Sequence, residues 1–188
     1  MRRFFSAALI VVLCICMGAC SSKKEEQEKQ TKTAKALAAF SSFPDTMPEF
    51  STVDLEGNMV TNDLFSQADL TVVNFWATYC NPCIDELPKL AEWSETMSEN
   101  VQLVGIVTDI GSEDSEEYAA AQQIVEKTEA GYQHLLPGNE FNDIIGQLVG
   151  VPTTFFVDKE GNIVGDPIVG ADVTGYKKFV EEYFDGQE

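Results

Sequence analysis

VVNFWATYCNPCIDEL, residues Val72 to Leu87, is the stretch on which the reading of this chain turns. Val72 to Ala77 is a short apolar run rich in β-branched and aromatic residues, and it predicts a buried strand. Thr78 and Tyr79 lead off its end into Cys80-Asn81-Pro82-Cys83. Beyond them Ile84, Leu87 and Ala91 recur at helical spacing, with Leu90 beside them. Two cysteines therefore sit on the opening turn of a helix that follows a strand. That turn carries unpaired N–H groups and the positive end of the macrodipole, and both favour a thiolate. Pro82 fits there because the first turn does not need its missing N–H. Two intervening residues let one sulfur attack a target while the other resolves the mixed disulfide. Cys80, at the start of the turn, is expected to attack; Cys83, one turn inward, is expected to resolve.

Two other readings compete. A zinc site needs about four ligands, and after the first 20 residues only Cys80, Cys83 and His134 offer sulfur or nitrogen. An inert disulfide closing so small a loop would add little stability and would not need a strand-turn-helix setting. Redox chemistry is the favoured reading, with the dithiol pair as the redox group and no metal or further cofactor.

FWATYCNPC followed by Ile84-Asp85-Glu86-Leu87-Pro88 resembles the thioredoxin superfamily, and within it the TlpA/ResA-like branch of membrane-anchored thiol-disulfide oxidoreductases. The likeness runs from about Pro48 to the C-terminus. It implies a thioredoxin fold of the α/β class: a central mixed sheet flanked by helices, with an N-terminal β-hairpin and a helical insertion. The CxxCxxE-x-P pattern of that branch is matched residue for residue, which implies a proton-handling role for Glu86. Three residues after Cys83, Glu86 also falls on the same helix face; an ordinary acidic residue early in a helix is the competing account. Asn74 stands where ordinary thioredoxins carry a buried Asp, and its amide takes no proton at neutral pH. Trp76, Tyr79, Asn81 and Pro82 complete the surroundings of the pair.

The 188 residues are expected to divide into a leader over 1–19, a linker over 20–43 that the resemblances below imply is lipid-anchored, and one thioredoxin-like domain over 44–188. Arg2 and Arg3 precede the apolar run Phe4 to Met17, a secretory signal too short for a spanning helix. Met17-Gly18-Ala19-Cys20 resembles a bacterial lipobox, which implies lipidation of Cys20. Cys14 and Cys16 lie within the apolar run as ordinary filler. The segment from Ser21 to about Ala39 holds five Lys and three Glu with almost no large apolar residue, a composition that buries no core. From Leu37 onward there are five Lys, no Arg and 28 acidic residues, net −23, which excludes a basic nucleic-acid surface.

Pro48 and Phe50 open the domain, followed by two strands around a turn at Glu56-Gly57-Asn58 and a short helical turn at Asp63-Leu64-Phe65. Pro88 is expected to kink its helix. Val101 to Thr108 reads as a second buried strand and Ser112 to Gly131 as an acidic helix. His134, the lone histidine, reads as structural or solvated. Gly150-Val151-Pro152-Thr153-Thr154 is the second signature: in the superfamily a cis proline here lies against the CxxC pair, which brings Val151 and Pro152 to the site. Phe155 to Asp158 is expected to be a buried strand, with Ile163 to Val169 returning beside it. Asp172 should cap a last helix whose Val173, Tyr176, Phe179, Val180, Tyr183 and Phe184 share a face.

A thiol peroxidase would use an Arg that the chain lacks after Arg3, and a copper carrier of the Sco type would want a wider cysteine spacing and a histidine ligand. A disulfide-forming oxidant of the same fold and a non-catalytic ligand-binding lipoprotein are the remaining alternatives. The reductive direction is expected, because Asn81-Pro82 holds no base and Asp85 and Glu86 oppose a low thiol pKa. The resemblance implies an extracytoplasmic reductase on the cell membrane, fed by a membrane thiol donor of the DsbD/CcdA type. Its clients would be disulfide-containing proteins such as apocytochrome c or methionine sulfoxide reductase.

Overall fold

A computed structural model describes residues 43–186. The leader over 1–19, the lipidation of Cys20 and the linker over 20–43 lie outside those residues, apart from Phe43. The ring of Phe43 packs edge-on against Phe155 at 5.0 Å.

Leu70–Trp76 forms the central strand β3, buried at every position, as expected of a mostly apolar strand inside a sheet covered on both faces, with Thr71 and Asn74 as its polar members. Before it come β1 (Ser51–Val53) and β2 (Met59–Thr61), an antiparallel hairpin that forms its own small sheet, then a 3₁₀ turn over Asn62–Gln67. The hairpin turn is tied by Asp54, whose Oδ1 accepts from the Glu56 and Asn58 backbone N–H groups at 3.0 and 2.9 Å. After β3 follow α1 (Asn81–Ser94), β4 (Val101–Val107), α2 (Glu116–Lys127) and β5 (Gln133–Leu135). A 3₁₀ turn over Asn139–Phe141 leads to α3 (Asn142–Gln147), β6 (Thr153–Asp158), β7 (Ile168–Val169) and α4 (Val173–Asp185).

The main sheet has the order β5-β4-β3-β6-β7. β3, β4 and β5 run parallel, so each step needs a crossover, which α1 and α2 supply. β6 is antiparallel to β3 and β7 to β6. This is the mixed, helix-flanked sheet with an N-terminal hairpin that the sequence predicts. Strand alternation divides the core. Val73, Phe75, Val104, Ile106 and Phe155 pack with Phe50, Phe65, Phe141 and Ile144 on one face. Leu70, Val72, Leu103 and Phe156 meet Leu90 and Trp93 of α1 and Tyr176 of α4 on the other.

Local readings differ in four places. The helix expected over Ser112 to Gly131 is confined to Glu116–Lys127, because Ser115 Oγ accepts from the Tyr118 N–H at 3.1 Å and starts it there. The returning strand expected over Ile163 to Val169 is broken: Ile163 makes a single bridge to Val157, and only Ile168–Val169 pairs as β7. Gly165 breaks it, with φ +71 and the Phe179 ring lying where a Cβ would stand. Pro88 lies inside α1 where the sequence places it, and the helix runs on past it to Ser94. β5 and α3 have no counterpart in the sequence reading. Among the described residues no helix is long and apolar enough to cross a membrane.

Candidate active site

The chain leaves β3 at Trp76, and four hydrogen bonds fix the turn that follows. Thr78 donates its backbone N–H to both oxygens of Asp109 at 3.1 Å and its hydroxyl to Oδ2 at 2.5 Å, while the Cys80 N–H reaches the Ala77 carbonyl at 3.1 Å. Cys80 is thereby placed as the N-cap of α1, and its Sγ accepts from the Cys83 N–H at 3.2 Å. This is the helix-start donor that favours a thiolate at Cys80. Asn81 and Pro82 occupy the first two helical positions and are exposed.

Cys80 and Cys83 are joined as a disulfide, with Cα atoms 5.3 Å apart. Cys80 keeps 7% of its surface exposed and Cys83 none, so Cys80 is the member of the pair that reaches solvent. Both are more enclosed than a free turn would leave them, because Val151 packs against the same cluster. The Val151 carbonyl lies 3.4 Å from Cys80 Sγ, and the Val151–Pro152 bond is cis. The two signatures, about 70 residues apart in sequence, thus meet at one sulfur. Tyr79, beside Cys80, is 74% exposed.

Beneath the pair lies a buried polar row. The strand registers align Thr154 of β6 with Asn74 of β3, Asn74 with Gly105 of β4, and Gly105 with His134 of β5. Asn74 donates to Thr154 Oγ1 at 3.0 Å and to Glu86 Oε1 at 2.9 Å. Glu86 points inward from α1 and is buried, and Tyr176 of α4 meets its Oε2 at 3.2 Å. Burial pushes the Glu86 carboxyl up to about 7, against the opposing hydrogen bonds from Asn74 and Tyr176 and the charge of Lys89. A group at that value can exchange a proton near neutral pH. Burial also holds Tyr176 up at about 12, with the neighbouring Glu86 adding to the rise.

At the other end of the row, His134 Nδ1 accepts from Trp76 Nε1 at 3.2 Å, and Nε2 faces the Ala130 carbonyl at 3.0 Å. Burial lowers its pKa to about 4, so it is neutral and structural, fixing the Trp76 ring beside the disulfide. Gly105 makes the bond possible: a Cβ there would stand 2.3 Å from His134 Nδ1.

Cys80, Cys83, Glu86, Pro152, Trp76, Asn74, Tyr79, Asn81, Pro82 and Val151 therefore gather in one place; Cys20 lies outside the described residues. Sequence reasoning missed Asp109, Thr154, Gly105 and Tyr176. Thr154 closed a recognised signature but was given no role there. Tyr176 sat on an apolar helix face, where a tyrosine reads as core.

A model of the AhpC/TSA family matches residues 44–165. Thiol-disulfide oxidoreductase ResA of Bacillus thuringiensis subsp. konkukian is 25% identical over 188 residues, covering 97% of this chain and 94% of its own. The protein of the same name from Bacillus anthracis is 30% identical over 127 residues, 65% of this chain and 67% of its own. Among solved structures, a thiol:disulfide interchange protein of the thioredoxin family from Chlorobium tepidum superposes with a TM-score of 0.56 at 28% identity, covering 69% of this chain and 88% of that one.

Proposed function

This chain belongs to the AhpC/TSA family, in the TlpA/ResA-like group of thioredoxin-fold thiol-disulfide oxidoreductases, and from that premise we propose that it reduces disulfides in envelope or secreted proteins. The observation that carries the reading is the pairing of an accessible Cys80 sulfur at a helix start with a buried Cys83 one turn from the Glu86 carboxyl.

The Cys80 thiolate attacks one sulfur of a client disulfide; that bond breaks, and the other client sulfur leaves as a thiolate. Cys83 then gives its proton to Glu86 and its sulfur attacks Cys80. The mixed disulfide breaks, the Cys80–Cys83 bond forms, and the client's second sulfur leaves with the electron pair. Two electrons have passed to the client, whose thiolates take up protons from Glu86 and solvent. A membrane thiol donor of the DsbD/CcdA type re-reduces the pair, and no further cofactor is required. Lipidation at Cys20 would hold the domain on the outer face of the cell membrane, with residues 20–43 as its linker.

The direction is supported by charge. The intervening dipeptide Asn81-Pro82 carries no base, and Asp85 and Glu86 follow at once. Negative charge near the pair disfavours the thiolate form, and with it the over-stabilised reduced state that makes a strong oxidant. Equilibration of the full chain against dithiothreitol and glutathione buffers tests this. We expect a potential nearer the thioredoxin value of about −270 mV than the DsbA value of about −120 mV. A potential at the oxidising end would overturn the reductive direction.

A further inference from the structure

We propose that Tyr176 is a positioning residue for disulfide exchange, holding the Glu86 carboxyl in place through both of its protonation states. The proposal rests on the reading that Glu86 receives the Cys83 proton as the Cys83 sulfur bonds to Cys80 and the client sulfur leaves.

Tyr176 is wholly buried in α4, among residues that otherwise pack as hydrocarbon; Phe179, one turn on, stacks on Phe156 at 3.8 Å. A phenylalanine would fill the same apolar space, so the hydroxyl needs its own account. It donates to the Gly170 carbonyl at 2.7 Å, accepts from the Asp172 N–H at 3.3 Å, lies 3.2 Å from Glu86 Oε2, and has the Thr154 side chain as a further polar neighbour. The hydroxyl has one proton and two lone pairs. While Glu86 is ionised, Tyr176 supplies a donor to the carboxylate. Once Glu86 takes a proton, the carboxyl O–H donates to the Tyr176 oxygen, whose own proton goes wholly to Gly170. The other partner of Glu86 cannot serve both forms in this way, because Asn74 presents an N–H to Oε1 while its Oδ1 is buried without a partner.

The anchor of the hydroxyl also belongs to the site. Gly170 donates its N–H to the Pro152 carbonyl at 2.8 Å, and the adjoining Val151 carbonyl faces Cys80 Sγ. Tyr176 is thus held from the segment that holds the proline loop, and Glu86 is held from Tyr176. The groups that face Glu86 are Asn74 from β3, Tyr176 from α4, Lys89 on its own helix acting through charge, and the buried Tyr132 hydroxyl, which feels the Glu86 charge. Of these only Asn74 and Tyr176 bond to it.

Tyr176→Phe keeps the ring and removes the donor to the ionised carboxylate, so Glu86 should hold its proton to higher pH. A hydrogen bond to an ionised group is worth roughly tenfold or more in such an equilibrium, about one pH unit. The full reduced chain is assayed against insulin disulfides from pH 5 to 9 as wild type, Tyr176→Phe, Glu86→Gln and the double variant. The expected result is a Tyr176→Phe profile displaced to alkaline pH by about one unit, with the rate recovered at the alkaline end. The double variant should match Glu86→Gln. Infrared titration of the carboxyl band that Glu86→Gln abolishes should show the same displacement without reference to activity. An unmoved Tyr176→Phe profile beside an altered Glu86→Gln profile would overturn the role of Tyr176 alone. A wild-type profile in Glu86→Gln would overturn the proton-handling reading and this proposal with it.

Discussion

Cys80 and Cys83 are three residues apart, yet their surroundings set them different tasks. Cys80 caps α1, receives the Cys83 N–H and retains access to solvent; Cys83 is inside the helix and sealed by Leu87 and the Trp76 cluster. A partner disulfide can therefore reach only one of them. Cys83→Ser should accumulate a client joined to Cys80 and lose turnover, since the second sulfur that releases the client is gone. Non-reducing electrophoresis after incubation with insulin would show the adduct. Faster alkylation of Cys83 than of Cys80 in the reduced wild type would reverse the assignment.

Elements bring these residues together by register. β3 carries Asn74 and Trp76 on the face turned to α1 and α4, while Val73 and Phe75 fill the opposite core. Shifting the strand by one residue would exchange those faces. β4 contributes an absence: Gly105 leaves the space in which Trp76 and His134 bond across the sheet. Gly105→Ala would bring its Cβ to 2.3 Å from His134 Nδ1 and 3.0 Å from Trp76 Nε1, neither of which has free room to move. Overpacking of that kind costs about 1–3 kcal/mol. Urea unfolding followed by tryptophan emission should show a lowered midpoint and an altered native spectrum; an unchanged midpoint would mean the row relaxes at no cost.

Folding of the whole molecule encloses Glu86, and the enclosure makes its stability depend on pH. The carboxyl titrates at about 7 in the fold against 4.5 when free. Between those values the native state holds a proton that the unfolded chain has lost, so the contribution of Glu86 to stability is complete below 4.5 and is lost as pH rises through 7. Glu86→Gln removes this dependence. In the oxidised protein its stability should match wild type at low pH and exceed it by about 3 kcal/mol above pH 7. Chemical denaturation at several pH values reads the difference, in which titrations shared by the two proteins cancel. A constant offset between them would show that Glu86 titrates normally in the fold.

Much of this arrangement is local and was therefore legible in the chain. The buried strand, the cysteines at a helix start, Asp172 as a cap and the apolar face of the last helix follow from periodicity and backbone chemistry acting over a few residues. The fold class followed from two such signatures agreeing with a known pattern. What lay beyond the sequence needed contacts between distant segments. β5 is three residues long and exists because β4 offers it an edge. Asp109 matters through Thr78, 31 residues earlier, and Tyr176 through Glu86, 90 residues earlier. No spacing rule encodes such pairs: a hydroxyl on an apolar helix face becomes a partner only when packing turns it toward a carboxyl that has already lost its water. The cysteines and their order on the helix were set by the sequence alone, whereas the raised proton affinity of Glu86 was decided by the tertiary structure, because desolvation is a property of everything that surrounds a group and not of its neighbours along the chain.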